Sequence, residues 1–183
     1  MIAIRAAKAA TVAAIALFAS LVTFGNLTDY DTNLAFVRHV LTMDTIFPSS
    51  RISYRAITNP TLQEMAYAVI IAAEAMTAVL CWIGVAALVR RLRADADTFN
   101  RAKGVAIVGL TLGFLLWHVG FMVIGGEWFG MWESQHWNGV PSAFRFLMTC
   151  IAVLIFVAIP DQEIDRQEAA WAEPLTRPPS ARR

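Results

Sequence analysis

The sequence predicts an all-α protein: a four-helix transmembrane bundle with a short amphipathic periplasmic helix. Three observations carry this expectation. Only 16% of the 183 residues are charged and the mean hydropathy is +0.54, whereas soluble domains carry about 25% charged residues. The apolar residues are gathered into four runs, each near or above the roughly 18 residues that read as a membrane span. The cations cluster on one side of those runs, which gives the bundle a direction.

The first span covers about residues 6–24, behind Arg5 and including Lys8. Its small-residue sites, such as Phe18-Ala19-Ser20, fall inside the run rather than after it, so it reads as an uncleaved anchor. Ala6, Ala9, Ala10, Ala13, Ala14 and Ala16 suit it to close packing. Asn26, Thr28, Asp29 and Asp31 then read as turn formers. In residues 31–47, Leu34, Val37, Val40 and Leu41 recur at helical spacing, with Asp31 or Thr32 to cap the start and Pro48 to end it. Such a helix lies on the membrane or roofs the bundle. The second span, about 65–89, stops at Arg90, Arg91 and Arg93. The third, about 104–124, contains the GxxxG pair Gly109 and Gly113, and Gly125 and Gly126 let it end and turn. The fourth, about 140–159, is closed by Pro160 and Asp161. Residues 1–160 thus form one membrane domain. Residues 161–183 form a tail that begins charged and ends Pro-rich, basic and disordered.

Orientation follows from the cations. Arg5 and Lys8, the Arg90–Lys103 connection, and Arg166, Arg177, Arg182 and Arg183 in the tail all belong to one side. Arg38, Arg51, Arg55 and Arg145 are spread more thinly over the other. The positive-inside rule places both termini in the cytoplasm of a bacterial inner membrane, with residues 25–64 and 125–139 facing the periplasm.

The formal net charge of +1 argues against nucleic acid, which needs a basic surface. Cys81 and Cys150 both lie in apolar runs and read as small buried hydrophobes, not as a disulfide framework. Haem ligation by two histidines needs both inside the bundle, and only His118 lies in a span, with His39 and His136 outside. No metal spacing, phosphate loop or nucleophile elbow is present in the sequence, so no cofactor and no catalytic residue is expected.

Glu74 is the sharpest single residue. An acid inside a span costs about 2.5–3.5 kcal/mol on insertion scales, so it should face the bundle and find a partner. Tyr67, Ala78 and Cys81 share its face by spacing. His118 and Arg145 are the expected partners, either as a structural pair or as the lining of a ligand or proton site. The stretch GGEWFGMWESQHWNG, residues 125–139, places Trp128, Trp132 and Trp137 at the outer water line, where an apolar ring with a polar N–H is at home. Glu127 and Glu133 beside them have Arg38, Arg51, Arg55 and Arg145 as candidate partners, so ion pairs are expected to tie the two outer loops. The expected partner surface comprises Asp29, Asp44, Arg55, Glu127, Trp128, Trp132, Trp137 and Asn138.

These pieces resemble a bacterial family of predicted small integral membrane proteins of unknown function. The resemblance rests on NLTDYDTNLAFVRHVLTMDTIFP (26–48), Arg55 in YRAI, Glu74, GGEWFGMWES with WNG (125–139), and FRF around Arg145. It covers about Arg5 to Pro160 and implies a four-helix membrane protein without an assigned activity. Two functions are compatible with this reading. One is a non-enzymatic accessory or assembly subunit that contacts lipid and other integral membrane proteins. The other is a lipid, quinone or ion binder built on Glu74, His118 and Arg145.

Overall fold

The computed structural model describes residues 2–162. The expectations for the tail, including its four arginines, lie outside the described residues. Four helical stretches are long and apolar enough to cross a membrane: Ile2–Thr28, Pro60–Arg90, Ala96–Trp128 and Val140–Ala158. In chain order the helices are α1 (Ile2–Thr28), α2 (Tyr30–Thr42), α3 (Pro60–Arg90), α4 (Ala96–Ala102), α5 (Gly104–Leu115) and α6 (Val140–Ala158). Beyond Leu115 the α5 helix continues as π-helix over Leu116–Trp128. Single 3-10 turns stand at Ser53–Arg55 and Met131–Glu133. The expected four-span, all-helical architecture is therefore present among the described residues.

Local chemistry sets the ends. Asn59 accepts from the N–H groups of Thr61 and Leu62 at 2.9 and 3.3 Å, and Pro60 opens α3 with no N–H to satisfy. Asp95 accepts from Thr98 N–H at 2.8 Å to start α4, and that bond holds its carboxyl below the usual range. Asn138 accepts from Val140 N–H at 3.1 Å at the head of α6. Three expected boundaries differ. Asn26 and Thr28 belong to α1, not to a turn, and Asp31 sits in the first turn of α2 without capping it. The α2 helix ends at Met43 in the left-handed region (φ 54°), ahead of Pro48. Gly125 and Gly126 lie inside the π-helical stretch, and the reversal comes at Gly130 (φ 64°).

The spans pack in the order α1, α3, α5, α6, with α1 also touching α6. Glycines set the α3–α5 approach. A Cβ at Gly84 would lie 2.6 Å from that of Ala106, one at Gly109 2.9 Å from Cys81 Sγ, and one at Gly113 3.1 Å from Thr77. The GxxxG pair is thus used within the bundle. Val12, Ala16, Cys81, Leu110, Ala143 and Val157 fill the core between the spans. Phe18, Phe146, Trp117 and Phe121 form a run of rings 4.6–4.8 Å apart between successive centroids. Large apolar residues such as Leu21, Phe24 and Val69 are 61–68% exposed on the outside, as expected where the surrounding solvent is hydrocarbon. A second cluster of Leu34, Val37, Leu41, Tyr67 and Phe129 seats α2 across one end of the bundle. That end, with residues 43–59 and 129–139, is the loop end. The other, with the N-terminus, α4 and Asp161, is the terminal end.

Candidate functional site

Glu74 is 2% exposed and shares its buried face with Tyr67, Ala78 and Cys81, as the spacing implies. It lies about 22 Å along α3 from Val89, in the loop-end half of the span. Its partner is Asn26, whose Nδ2 donates to Glu74 Oε2 at 2.6 Å. Tyr67 Oη donates to the Asn26 carbonyl at 2.9 Å, so α1 and α3 are tied at one depth by three polar residues. The expected partners are elsewhere. Arg145 donates to Ser142 on its own helix at 3.0 Å. His118 stacks on Phe114 at 5.3 Å, and its Nδ1 is buried with no hydrogen-bond partner among the described residues. On the third span Trp117, not His118, lines the space beside Glu74. That space, lined also by Thr77, Gly113 and Cys150, is about 10 Å³, which is room for one water at most. The arrangement bonds α1 to α3 and leaves no volume there for an organic ligand.

The loop end is closed by a polar latch that differs from the expected ion pairs. Glu133, 8% exposed, accepts from Phe47 N–H at 2.9 Å and Ser50 Oγ at 3.2 Å. Thr45 donates to Ser134 Oγ at 2.8 Å, and Trp137 N–H donates to the same oxygen at 2.9 Å. The two loops are thus joined by a carboxylate that takes a backbone N–H and a hydroxyl, and by a bond between two hydroxyls. Arg38 pairs with Glu64 at 3.0 Å, linking α2 to α3, and Glu127 is exposed. The tryptophans divide by role. Trp137 stacks on His39 at 4.4 Å and 12°, and His39 in turn meets Asp44 at 2.8 Å. Trp132 meets Phe47 edge-on at 5.8 Å, and its carbonyl accepts from Asn138 at 3.4 Å. Trp128 carries the guanidinium of Arg55 4.6 Å above its ring, and its carbonyl accepts from the same group at 3.2 Å. Tyr54 also lies 5.4 Å from that guanidinium and is 77% exposed. Asp29 is the hinge residue between α1 and α2; its carbonyl accepts from Asn33 Nδ2 at 2.9 Å.

Beneath α2 lies an apolar groove of about 360 Å³. Val37 and Leu41 of α2, Val69 and Ile70 of α3, and Leu116 and Phe121 of the π-helical stretch are among its walls. A Cβ at Gly120 would meet only Leu116 Cδ1, at 3.6 Å, so this position faces open space. A π-helix is rare and concentrates at functional sites; here its wide turns stand where α3 and the third span part.

The terminal end holds a cluster invisible in the sequence order. Arg5, Lys8 and Lys103 are 0–2% exposed and converge on Asp161. Lys103 Nζ and Lys8 Nζ lie 2.5 and 2.7 Å from Asp161 Oδ2, and both also donate to the Ile159 carbonyl. Arg5 is 3.9 Å from Oδ1 and donates to the carbonyl of Ala94 at 2.6 Å. Burial alone would raise the Asp161 pKa, but the hydrogen bonds from Lys103 and Lys8 outweigh it and hold the carboxyl below its ordinary value. Asn100 bonds the backbone of Asp161 in both directions at 2.9 Å. The cluster ties α1, α4 and the end of α6 together.

A family model described as predicted small integral membrane protein (DUF2165) matches residues 4–160. No curated protein and no solved structure matches the chain.

Proposed function

This chain belongs to that family of small integral membrane proteins, and on that premise we propose that it is a non-enzymatic accessory or assembly subunit of a larger complex in a bacterial inner membrane. The observation that supports this reading is the Tyr54–Arg55–Trp128 stack on the loop end. Tyrosine, arginine and tryptophan are the residues on which interface energy concentrates. Here they are held together in the open, with Tyr54 77% and Trp128 53% exposed. The latch joins the same two loops and pre-orders the surface, which lowers the entropy cost of docking. A lipid-facing belt accounts for Trp128 alone but not for a guanidinium held within 4.6 and 5.4 Å of two aromatic rings. The partner is another integral membrane protein that presents acidic or aromatic groups at the same water line. Affinity purification in mild detergent, with Arg55→Ala and Trp128→Ala beside the wild type, tests this. The same few membrane proteins should accompany the wild type and fall away from both variants. Equal recovery from all three would overturn the reading.

Both termini are cytoplasmic in this account, because Arg90, Arg91, Arg93 and Arg101 flank the terminal end. Single cysteines at Thr58 and Asp97, in a background with Cys81 and Cys150 replaced by alanine, report this. A membrane-impermeant maleimide on cells with a permeabilised outer membrane should label the first and not the second.

The groove under α2 supports a second reading, the holding of a lipid or quinone tail. Its walls are apolar, and its volume of about 360 Å³ is large enough for a stretch of hydrocarbon chain. Leu-to-Trp replacement at position 116 would block it; unchanged lipid and quinone content in the purified variant would remove this reading.

A further inference from the structure

A second concavity lies at the terminal end, where the last turn of α3 meets α4 and the start of α5. It measures about 370 Å³ and is lined by Ala87, Arg91, Thr98, Arg101, Ala102 and Val105. Its surface divides in two. Ala87, Ala102 and Val105 make an apolar floor continuous with the lipid-facing sides of the third span and α3. Arg91, Arg101 and Thr98 make a polar wall. We propose that this concavity is a headgroup site for an anionic phospholipid, with the phosphate on the two guanidiniums and the glycerol and first methylenes on the floor.

Charge supports this assignment. Arg91 and Arg101 form no ion pair among the described residues, unlike Arg5, Lys8, Arg38 and Lys103. Arg91 donates to the carbonyl of Ala87 at 3.3 Å, and Arg101 to Thr98 Oγ1 at a long 3.4 Å. Each guanidinium has five N–H donors, so both retain the fork that binds phosphate in pairs of bonds. Asp95 feels the charge of Arg101, and its carboxylate is engaged by the N–H of Thr98. Arg91 directly follows the last residue of α3, at the end of the span. That is the boundary depth at which lipid phosphates lie, and basic pockets between spans at this depth bind anionic headgroups. A free anion would need the polar wall alone; the apolar floor favours a lipid. The site is independent of the accessory role and of which leaflet the terminal end faces.

Native mass spectrometry of the full chain in detergent tests the proposal, with dioleoylphosphatidylglycerol, dioleoylphosphatidylcholine and sodium phosphate as probes. The wild type should retain one phosphatidylglycerol in preference to phosphatidylcholine. Arg91→Gln with Arg101→Gln should weaken that adduct roughly 30-fold, from about one surface-cation increment per arginine. Arg93→Gln, exposed and outside the concavity, should leave it within about threefold. All three side chains are exposed, and an unchanged Tm in the same detergent checks that the fold persists. Equal binding of the two lipids, equal loss in Arg93→Gln, or retention in the double variant would each overturn the proposal. Displacement of the lipid by about 10 mM phosphate would assign the site to a free anion instead and equally overturn it.

Discussion

Replacing Asn26 by alanine isolates the polar tie between α1 and α3. The substitution removes the Nδ2 donor that lies 2.6 Å from Glu74 Oε2, while the shorter of the two Tyr67 bonds survives because it ends on the Asn26 carbonyl. Glu74, 2% exposed, is then left without a side-chain hydrogen bond among the described residues. Hydrogen bonds between membrane helices average about 0.6 kcal/mol and reach about 1.7. This one belongs at the upper end, because it is short and its acceptor has no second side-chain donor. The expected loss is about 1.5 kcal/mol, read by equilibrium unfolding in mixed micelles with tryptophan fluorescence. The same substitution placed on Glu74→Leu, where nothing remains to accept the bond, should cost close to zero, so the cycle returns a coupling of about 1.5 kcal/mol. A coupling below about 0.5 kcal/mol, the scatter of independent sites, would refute the claim that this bond fixes the two helices.

Gly84→Ala places a Cβ 2.6 Å from Ala106 Cβ and should destabilise by about 1–3 kcal/mol through overpacking. Gly25→Ala, which meets nothing within 4 Å, should not destabilise in the same thermal melt. Glu133→Ala removes the acceptor of Phe47 N–H and Ser50 Oγ and should cost about 1–3 kcal/mol locally, seen as faster proteolysis between residues 44 and 56. Because the Asp161 carboxyl is held below its unfolded value, its contribution is complete above the ordinary carboxylate pKa and is lost as pH falls through the lowered one. Acid unfolding profiles of wild type and Asp161→Asn should therefore converge at low pH, with the variant weaker by about 3–5 kcal/mol near neutrality, since three buried cations lose their counter-ion.

The spans and the roof were legible because burial in lipid and periodicity are local properties. Leu34, Val37 and Leu41 point inward in α2 as their spacing implies, and Glu74 faces the bundle as an acid in hydrocarbon must. What the sequence concealed is pairing. Asn26 reads as a turn former because its side chain bonds nearby backbone in most contexts; only the register of α1 against α3 brings it to Glu74. Any polar residue one turn from a span end, opposite a buried acid, was a candidate, and the signal was too weak to select it. The loops are tied, but by Glu133 on backbone and serine rather than on arginine. Arg5 and Lys8 count as surface cations in a topology argument, whereas they are buried around Asp161, 153 or more residues away in sequence. The π-helical course of Leu116–Trp128 has no sequence signature of its own, and His118 packs on Phe114 rather than reaching Glu74.

The most direct measurement is the migration of the tagged protein, expressed at native level, on a native gel after mild-detergent extraction. One large band containing the same few membrane proteins in repeated preparations is expected, lost in Arg55→Ala. Migration alone, near the 20.2 kDa of a single chain plus its detergent, would contradict the accessory role.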